Sequence, residues 1–366
     1  MSTVVSFPAL GWEFTVSRVA FSIGGIPVYW YGIIIAAGLF LAVLFVLRHT
    51  AEFGIDSDRM IDVVCVGTVM AIVCARVYYV AMAPFSYSSV WEMLDIRKGG
   101  IAIYGALFGA FVFGGLACRW RHVPVLPMFD LAAMGFLIGQ CIGRWGNFVN
   151  QEAFGCNTTL PWGMYSEKTQ EYLESSVVTV PPGVTIDAGA PVHPTFLYES
   201  LWCLIGFVLL ARYFKKRRFD GDVALRYAIW YGLGRFWIEG LRTDSLLLVP
   251  SLGLRASQLV AAVTVLVSLA LEFWLRRRYR GRPLRVALAV TSENLRLRRQ
   301  AEKDGLTPAD APESTLPADA PRAAFLRAAA AYNEALGSAL RAQRQTAEKK
   351  GNGDGAKPQK AGPQQQ

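Results

Sequence analysis

Charge is scarce in this sequence. Asp, Glu, Lys and Arg make up 18% of its 366 residues, whereas 53% of the residues are hydrophobic. Soluble enzymes carry more charge than this, and the mean hydropathy is positive. The composition therefore predicts an all-α polytopic membrane protein whose helices are solvated by lipid.

Histidine and cysteine are also few. The chain has three histidines and six cysteines, and four of the cysteines lie inside apolar runs (Cys65, Cys74, Cys141 and Cys203). Neither a zinc spacing nor a disulfide framework follows from these positions. We therefore expect no metal and no other cofactor.

Further functional signals are missing. No chain of acidic residues suggests a proton relay, and the last apolar segment has no lysine that could hold retinal. The N-terminus lacks the basic start, apolar centre and small-residue cleavage site of a signal peptide. We therefore expect the first apolar segment to be retained as a membrane span.

The basic residues outnumber the acidic ones, with a formal net charge of +9. They occur in short clusters beside apolar runs, which is typical of membrane orientation rather than of nucleic-acid binding. We therefore expect no nucleic-acid partner.

Seven apolar segments approach the ~20 residues that a helix needs to cross a bilayer. They lie near Pro27 to Leu47, Met60 to Ala83, Gly99 to Cys118, Leu126 to Arg144, Pro194 to Phe214, Asp222 to Leu241 and Arg255 to Leu275. The third segment is rich in glycine, which allows helix backbones to approach closely. About seven transmembrane helices are predicted.

The orientation follows from the basic clusters. These are Arg48 with Arg59, Arg119 with Arg121, Lys215 to Arg218, and Arg276 to Arg282. Positive clusters mark the cytoplasmic side, so the N-terminus, the polar segment from Asn147 to His193 and the loop from Thr243 to Leu254 are expected outside. Arg97 and Lys98 run against this orientation. The C-terminus is predicted to be cytoplasmic.

The composition changes after Arg282. Residues 1–282 are predicted to form the membrane domain, and residues 283–366 a charged tail rich in Ala, Pro and Gln. Such a composition cannot bury much apolar surface, so we expect the tail to be largely disordered, with a helix near 321–349.

The stretch Gly143 to Gly155, GRWGNFVNQEAFG, closes the fourth apolar segment with polar residues. Polar and charged side chains inside a bilayer cost free energy, so their presence suggests a functional role. Arg144 suits phosphate oxygens, and Asn147 and Asn150 can both donate and accept hydrogen bonds. The pattern indicates an anion site at the outer surface. Alternatively, Arg144 extends to the membrane interface and the asparagines form a turn.

A second polar stripe lies in the sixth segment. Tyr231, Arg235, Glu239 and Arg242 are spaced by four, four and three residues, so they share one face of a helix. Two arginines could hold a phosphate and stabilise its growing charge. The alternative is a structural ion pair between Arg235 and Glu239.

Other polar residues occur at a similar level of the predicted bundle: Tyr31, Arg76, Tyr104, His193, Tyr198 and Glu199. Individually, each is typical of a membrane interface, where tyrosine is enriched. Arg76 lies deeper, and an ion pair with Asp130 or Glu199 would be an ordinary explanation for it.

The sequence closely resembles the prolipoprotein diacylglyceryl transferases, bacterial membrane enzymes of lipoprotein maturation. GRWGNFVNQEAFG at Gly143 resembles the family signature, and HPTFLYES at His193 and YGLGRFWIEGLR at Tyr231 match later blocks in the same order. WYG at Trp30 and GGIAIYGALFG at Gly99 match earlier blocks. The resemblance covers about Val19 to Leu275 and excludes the tail.

This resemblance implies a reaction. The diacylglyceryl group of phosphatidylglycerol moves to the thiol of a lipobox cysteine in a prolipoprotein, and glycerol phosphate is released. It further implies a bacterial cytoplasmic membrane enzyme, surrounded by membrane lipids, whose active site faces outward. No cysteine of the enzyme itself is required, because the substrate supplies the sulfur.

The resemblance also implies residue roles. Arg144 and Arg235 would bind and stabilise the phosphate. Asn147, Glu152 and Gly155 would shape the signature loop. Tyr31 and Tyr231 would contact substrate, and Glu239 and Arg242 would fix the helix stripe electrostatically.

Tyr104 departs from many relatives, which have histidine within the same block. A phenol with an ordinary pKa near ~10 is a poor base at neutral pH. Our hypothesis is that Tyr104 orients the thiol or the headgroup by hydrogen bonding, while a carboxylate, the lipid phosphate or water accepts the proton.

Two other classes of function fit a membrane protein of this kind. An anionic phospholipid transporter or binding protein would use the same arginines without chemistry, but such carriers show paired broken helices in matching halves, which this sequence lacks. A seven-helix receptor gives no particular role to paired outward arginines.

Overall fold

The computed structural model is mostly helical and describes residues 2–83, 85, 87–96, 99–175, 186–243, 247–249, 254–304 and 315–353. Two compact units form: Met1–His49 with Phe129–Leu284, and Thr50–Met128 with Arg285–Gln366. Arg97 and Lys98, which run against the expected orientation, lie outside the described residues, as does most of the loop from Thr243 to Leu254.

The described residues contain eleven α-helices: α1 (Trp30–His49), α2 (Ser57–Met82), α3 (Val90–Leu94), α4 (Ile103–Arg121), α5 (Val125–Asn150), α6 (Glu167–Glu174), α7 (Thr195–Tyr213), α8 (Asp222–Leu241), α9 (Ala256–Arg278), α10 (Ser292–Lys303) and α11 (Arg322–Gly353). Six helical segments are long and apolar enough to cross a membrane: Trp30–Phe53, Ser57–Met82, Ile103–Arg121, Val125–Asn150, Thr195–Lys216 and Ala256–Arg278. The predicted polytopic membrane protein is therefore confirmed. The sixth predicted segment forms α8, which carries four charged residues and is not among these six.

Short strands accompany the helices and were not anticipated from the sequence. They are β1 (Ser2–Phe7), β2 (Trp12–Ser17), β3 (Val19–Ile23), β4 (Ile26–Tyr29), β5 (Tyr165–Ser166), β6 (Leu247–Val249), β7 (Leu254–Arg255), β8 (Arg285–Ala287) and β9 (Thr315–Pro317). β1 lies between β2 and β5 in an antiparallel sheet, with Val5 opposite Ser166. The first apolar helix therefore begins at Trp30, because Pro27 belongs to β4.

The turn between β3 and β4 explains why a glycine pair precedes the first helix. Gly24 and Gly25 have φ angles of 56° and 81°. A two-residue turn of this hand requires positive φ at both positions, which glycine adopts without strain.

The first unit has an apolar core at the start of α7. It joins the β1 strand, the loop after α5 and the start of α7 through Val5, Phe7, Phe154, Met164, Leu173, Val192 and Phe196. Burying these side chains fixes the polar segment after α5 against the N-terminal sheet.

The start of α8 is held by a buried carboxylate. Asp130, on α5, accepts hydrogen bonds from the backbone N–H groups of Gly221 and Ala224, both at 2.8 Å. These donors lie at the start of α8, where backbone N–H groups lack helical partners. Asp130 therefore satisfies two donors that would otherwise be exposed to an apolar surrounding.

A buried arginine organises the second unit. The Arg76 guanidinium donates to the carbonyl oxygens of Met93 at 2.7 Å, Glu92 at 2.9 Å, Gly99 at 2.9 Å and Gly100 at 2.7 Å. Backbone carbonyls thus replace the carboxylate partner considered from the sequence. The Arg76 guanidinium therefore ties the segment between α3 and α4 to α2.

The C-terminal segment of the second unit packs against the connection between α1 and α2. Arg59 donates to the carbonyl oxygens of Val290 and, at 3.1 Å, His122, and Ser292 Oγ lies 3.2 Å from Asp56 Oδ1. Phe325 of α11 is fully buried. α11 runs through the region where a tail helix was expected, and the end of the tail lies outside the described residues.

Glycines set the distance between α2 and α4. A Cβ atom at Gly109 would lie 2.8 Å from the Met70 carbonyl carbon and 2.9 Å from Ala71 Cα, with the Met70 oxygen closer still. Real Cβ atoms do not approach backbone this closely, so the two helices need glycine at this crossing.

Gly109→Ala should therefore lower the midpoint of thermal unfolding in detergent, because α2 and α4 must separate to admit the methyl group. Gly115→Ala on the same helix is the matched control, since its Cβ would meet nothing within 4 Å. Alanine favours the helix by up to ~1 kcal/mol, so the control should be neutral or stabilising. Equal destabilisation of both variants would contradict this packing.

Candidate active site

The centre of the site is the carboxylate of Glu199, which is buried in the first turns of α7. Its Oε1 accepts a hydrogen bond from the Arg144 guanidinium of α5 and one from the Tyr231 hydroxyl at 3.3 Å. Its Oε2 accepts one from Arg235 of α8 at 3.2 Å. A single carboxylate therefore brings together the two arginines that are 91 residues apart in sequence.

Arg235 has a second acidic partner one turn along its own helix. Its Nη2 lies 2.6 Å from Glu239 Oε2. Glu239 is itself held by the Ser257 hydroxyl, which donates to Oε1 at 2.6 Å, and Arg255 donates to its backbone carbonyl. Arg235 thus lies between two fixed carboxylates, and the ion pair with Glu239 that the sequence offered as an alternative is present.

Arg144 connects the buried carboxylate to the polar loop. Its Nη1 donates to Asn147 Oδ1 at 3.3 Å, and Asn147 Nδ2 donates to Glu152 Oε1 at 3.0 Å. Asn150 Nδ2 donates to the same oxygen at 3.3 Å. The polar residues of the signature therefore form one chain from the buried Glu199 to the exposed Glu152.

The loop after α5 has an unusual backbone. Gln151 and Ala153 have φ angles of 54° and 59°, in the left-handed region that favours glycine. The buried Gln151 side chain compensates, because it donates to the Phe148 carbonyl and accepts from Ser166 Oγ at 2.9 Å. The turn therefore ends α5 and is held in place by packing and hydrogen bonds.

The end of α5 is also neutralised electrostatically. The carbonyl of Asn150, the last residue of the helix, accepts hydrogen bonds from Arg18 at 3.1 Å and from Lys168. Cations are favourable at helix C-termini, where carbonyl groups lack partners. Arg18 lies between β2 and β3 and Lys168 lies in α6, and together they fix the start of the loop.

Gly155 lies in close contact with two other segments. Its N–H donates to the His193 carbonyl at 2.9 Å, and its backbone pairs with that of Arg242 just after α8. A Cβ atom there would lie 2.7 Å from His193 Cβ and 3.0 Å from the Leu241 carbonyl. The position therefore requires glycine.

Burial lowers the pKa of the His193 imidazole, so its neutral form predominates at pH 7.

Two of the predicted substrate tyrosines lie beside this group. Tyr31, at the start of α1, packs its ring on Gly146, where a Cβ atom would meet Tyr31 Cδ2 at 2.7 Å. Tyr231 stacks on Tyr227 with ring centroids 5.7 Å apart, and Gln140 donates to the Tyr227 hydroxyl at 2.9 Å. Both rings are therefore held by packing.

The nine predicted residues of the first unit thus lie in one region built from the C-terminal parts of α5 and α8 and the starts of α1 and α7. They are Tyr31, Arg144, Asn147, Glu152, Gly155, Tyr231, Arg235, Glu239 and Arg242. The tenth, Tyr104, belongs to the second unit. It lies in the first turn of α4, is 54% exposed, and has its ring centroid 6.5 Å from that of Tyr78.

Sequence reasoning missed the central role of Glu199, which it treated as an interfacial residue. The available signal was a carboxylate in the first turns of a long apolar helix, which must be paired at that depth. Ser257 and Arg255, at the start of α9, were missed for lack of any comparable signal. Chemically, two convergent guanidiniums with amide and phenol donors suit an anion with several oxygens.

The sequence model of a known family, described as prolipoprotein diacylglyceryl transferase, matches residues 18–274. The chain is 42% identical over 255 residues to the phosphatidylglycerol--prolipoprotein diacylglyceryl transferase of Lysinibacillus sphaericus, which covers 69% of this chain and 90% of the relative. The proteins of that name from Geobacillus kaustophilus and Pediococcus pentosaceus are 40% and 42% identical over 269 and 267 residues. These alignments each cover 72% of this chain, and 93% and 92% of the respective relative.

Glu199→Gln should lower the free energy of unfolding by about 1–3 kcal/mol, because two guanidiniums lose their shared counter-charge. Both arginine side chains are 21% exposed, so solvent limits the cost. Chemical unfolding in detergent measures it. The exposed Glu171→Gln on α6 is the control and should change the free energy by less than ~0.5 kcal/mol. Similar losses in both variants would refute a central role for Glu199.

Proposed function

The chain belongs to the prolipoprotein diacylglyceryl transferase family, and we propose that Arg144 and Arg235 form the phosphate site of its reaction. Members of this family are transferases of the first step of lipoprotein maturation. The proposed substrates are phosphatidylglycerol and a prolipoprotein that presents its lipobox cysteine. The products are a thioether-linked diacylglyceryl peptide and glycerol phosphate.

One observation carries the proposal: both guanidiniums contact the same carboxylate, one at each oxygen of Glu199. Groups that converge on one carboxylate can also converge on one phosphate, since both anions present oxygens at hydrogen-bond distance. Glu199 keeps the two cations together before the lipid binds. When phosphate oxygens approach, each guanidinium still has donors available beside those directed at Glu199.

The chemistry explains why two arginines are needed. A new bond forms between the thiolate sulfur and the glycerol carbon that carries the phosphate. The bond between that carbon and the phosphate oxygen breaks, and the electron pair leaves with the oxygen. The leaving glycerol phosphate therefore gains a negative charge in the transition state. Fixed cations at that oxygen stabilise the developing charge more than the ground state.

The remaining residues position these cations. Asn147, which donates to Glu152, accepts from the Arg144 guanidinium, and Gly155 allows the loop after α5 to reach His193 and Arg242. Glu239 fixes Arg235 on the opposite side. Tyr31 and Tyr231 supply hydroxyl groups for the headgroup.

Tyr104 orients the substrate thiol or the headgroup in this proposal. The thiol proton passes to a carboxylate, to the lipid phosphate or to water.

The proposed setting is the cytoplasmic membrane of a bacterium, with the site toward its outer face. We include α8 as a seventh span: its 20 residues reach about 30 Å, the thickness of the hydrocarbon core. Its charged side chains have protein partners, as Arg226 pairs with Glu272 at 2.7 Å. Paired charges of this kind face a bundle rather than lipid. The phospholipid then approaches sideways from the surrounding membrane lipids.

The test is turnover in liposomes that contain phosphatidylglycerol and a lipobox peptide. Wild type should release glycerol phosphate and increase the peptide mass by the diacylglyceryl group. Arg235→Ala should lose at least ~10²-fold in rate, the usual cost of removing a group that stabilises transition-state charge. Arg144→Lys should also lose most turnover, because an ammonium cannot replace a bidentate guanidinium.

Cys156→Ser is the matched control, since burial raises the pKa of this thiol and the substrate supplies the reacting sulfur. It should keep wild-type turnover. A wild type that binds the lipid but leaves the peptide unmodified would favour a carrier instead.

Tyr104→Phe should reduce the rate by about tenfold, because it removes the proposed hydrogen bond to the substrate. It should leave the unfolding midpoint unchanged, because the ring is exposed. The ring of Tyr78 is its neighbour, so Tyr78→Phe serves as the control and should keep full turnover. Full turnover of Tyr104→Phe would exclude an orienting hydroxyl at this position.

A further inference from the structure

An apolar cavity of about 370 Å³ lies in the first unit between α1, α5 and α7. Its lining is mostly aliphatic and aromatic, and includes Leu41, Phe45, Leu137, Ile138, Leu204 and Phe207. Leu41 and Leu204 are 45% and 47% exposed, whereas Leu137 is fully buried. The cavity is therefore a groove that is open on the side of α1 and α7 and closed behind by α5.

The groove begins one helical turn from the arginine pair. Leu137, Cys141 and Arg144 follow the spacing i, i+4, i+7, so they lie on one face of α5. Cys141 lines the groove, and its sulfur lies 3.4 Å from the hydroxyl of Ser200, the residue after Glu199. From Arg144 to Leu137 the helix rises by about 10 Å. The groove thus continues from the proposed phosphate site toward the end of α1.

Aromatic side chains close the far end. The rings of Phe45 and Phe207 meet edge to face with centroids 5.1 Å apart, and His49 meets Phe214 in the same way at 5.6 Å. These contacts join α1 to α7. Arg48 and His49 line this end, so the apolar surface stops at polar groups.

We propose that this groove binds one acyl chain of the phospholipid donor, and that the contact between Phe45 and Phe207 limits the chain length that can be used. The inference rests on the proposed function. A diacyl lipid whose phosphate lies between the arginines must place its chains in apolar surroundings, and the groove provides such a path on the same face of α5. A chain longer than the groove would meet the aromatic contact and displace the phosphate.

Hydrophobicity alone cannot give this selectivity, because an acyl chain is already in an apolar solvent when it lies in the bilayer. Selectivity must come from fit. A displacement of about 1 Å at the reacting centre can cost about 10²-fold in rate, so a closed end at a fixed distance from the phosphate site is enough.

The test compares turnover of dioctanoyl, didodecanoyl, dihexadecanoyl and dioctadecanoyl phosphatidylglycerol in detergent, with the lipobox peptide in excess. Leu204→Trp places an indole in the groove from its open side. We expect kcat/KM for the dihexadecanoyl donor to fall by about tenfold or more, while the dioctanoyl donor is little affected. Leu41→Trp should give the same profile from the opposite wall.

Leu209→Trp is the matched control: it lies on the same helix, has the same 47% exposure and does not line the groove. It should retain the wild-type dependence on chain length. Phe207→Leu opens the far end and should shift the optimum toward the dioctadecanoyl donor.

Parallel chain-length profiles for wild type and all variants would overturn the proposal, as would a uniform loss for every donor in folded Leu204→Trp and Leu41→Trp. Failure of the proposed function looks different, because wild type would then form no thioether with any donor.

Discussion

Unpaired charge cannot be tolerated at the depth of a bilayer, and the Glu199 carboxylate meets that constraint for two arginines at once. Arg144 and Arg235 come from different helices, and each contacts one oxygen of the same carboxylate. The arrangement needs α5, α7 and α8 at fixed heights and rotations, because a guanidinium and a carboxylate pair only over a narrow range of geometry. The helix packing of the first unit and its chemistry therefore depend on the same contacts.

The loop after α5 is also held in a fixed conformation. Its left-handed residues, Gln151 and Ala153, are costly, and the buried Gln151 amide and the apolar core around Phe154 hold them. The same loop brings Glu152 to Asn147, which accepts a hydrogen bond from Arg144. A strained turn at this place is consistent with a functional site, where backbone strain persists only if the surroundings hold it.

Elsewhere the chain neutralises buried polarity by other means. Arg76 is held by four backbone carbonyl groups, and Asp130 accepts two backbone N–H groups at the start of α8. Asp130 fixes the start of α8 and Arg76 fixes a loop, so both leave few donors or acceptors for a ligand. The arginine pair differs because its partner is a side chain that a phosphate can share. This contrast distinguishes Arg76 and Asp130 from the candidate site.

The sequence alone determined the membrane class, because apolar segments of helical length need no tertiary context to be recognised. It also determined the family, since the signature residues are adjacent in sequence and specific in type, and it singled out Arg144 and Arg235 as predicted phosphate ligands. The strands β1 and β2 escaped notice because they pack against the loop after α5, far away in sequence, as Val5 and Phe154 share one core. The partner of Arg76 escaped for a related reason: carbonyl groups carry no sequence signal. Only the tertiary structure decided that Glu199 joins Arg144 to Arg235, because a carboxylate 55 residues from one arginine and 36 from the other becomes their neighbour only when three helices pack together.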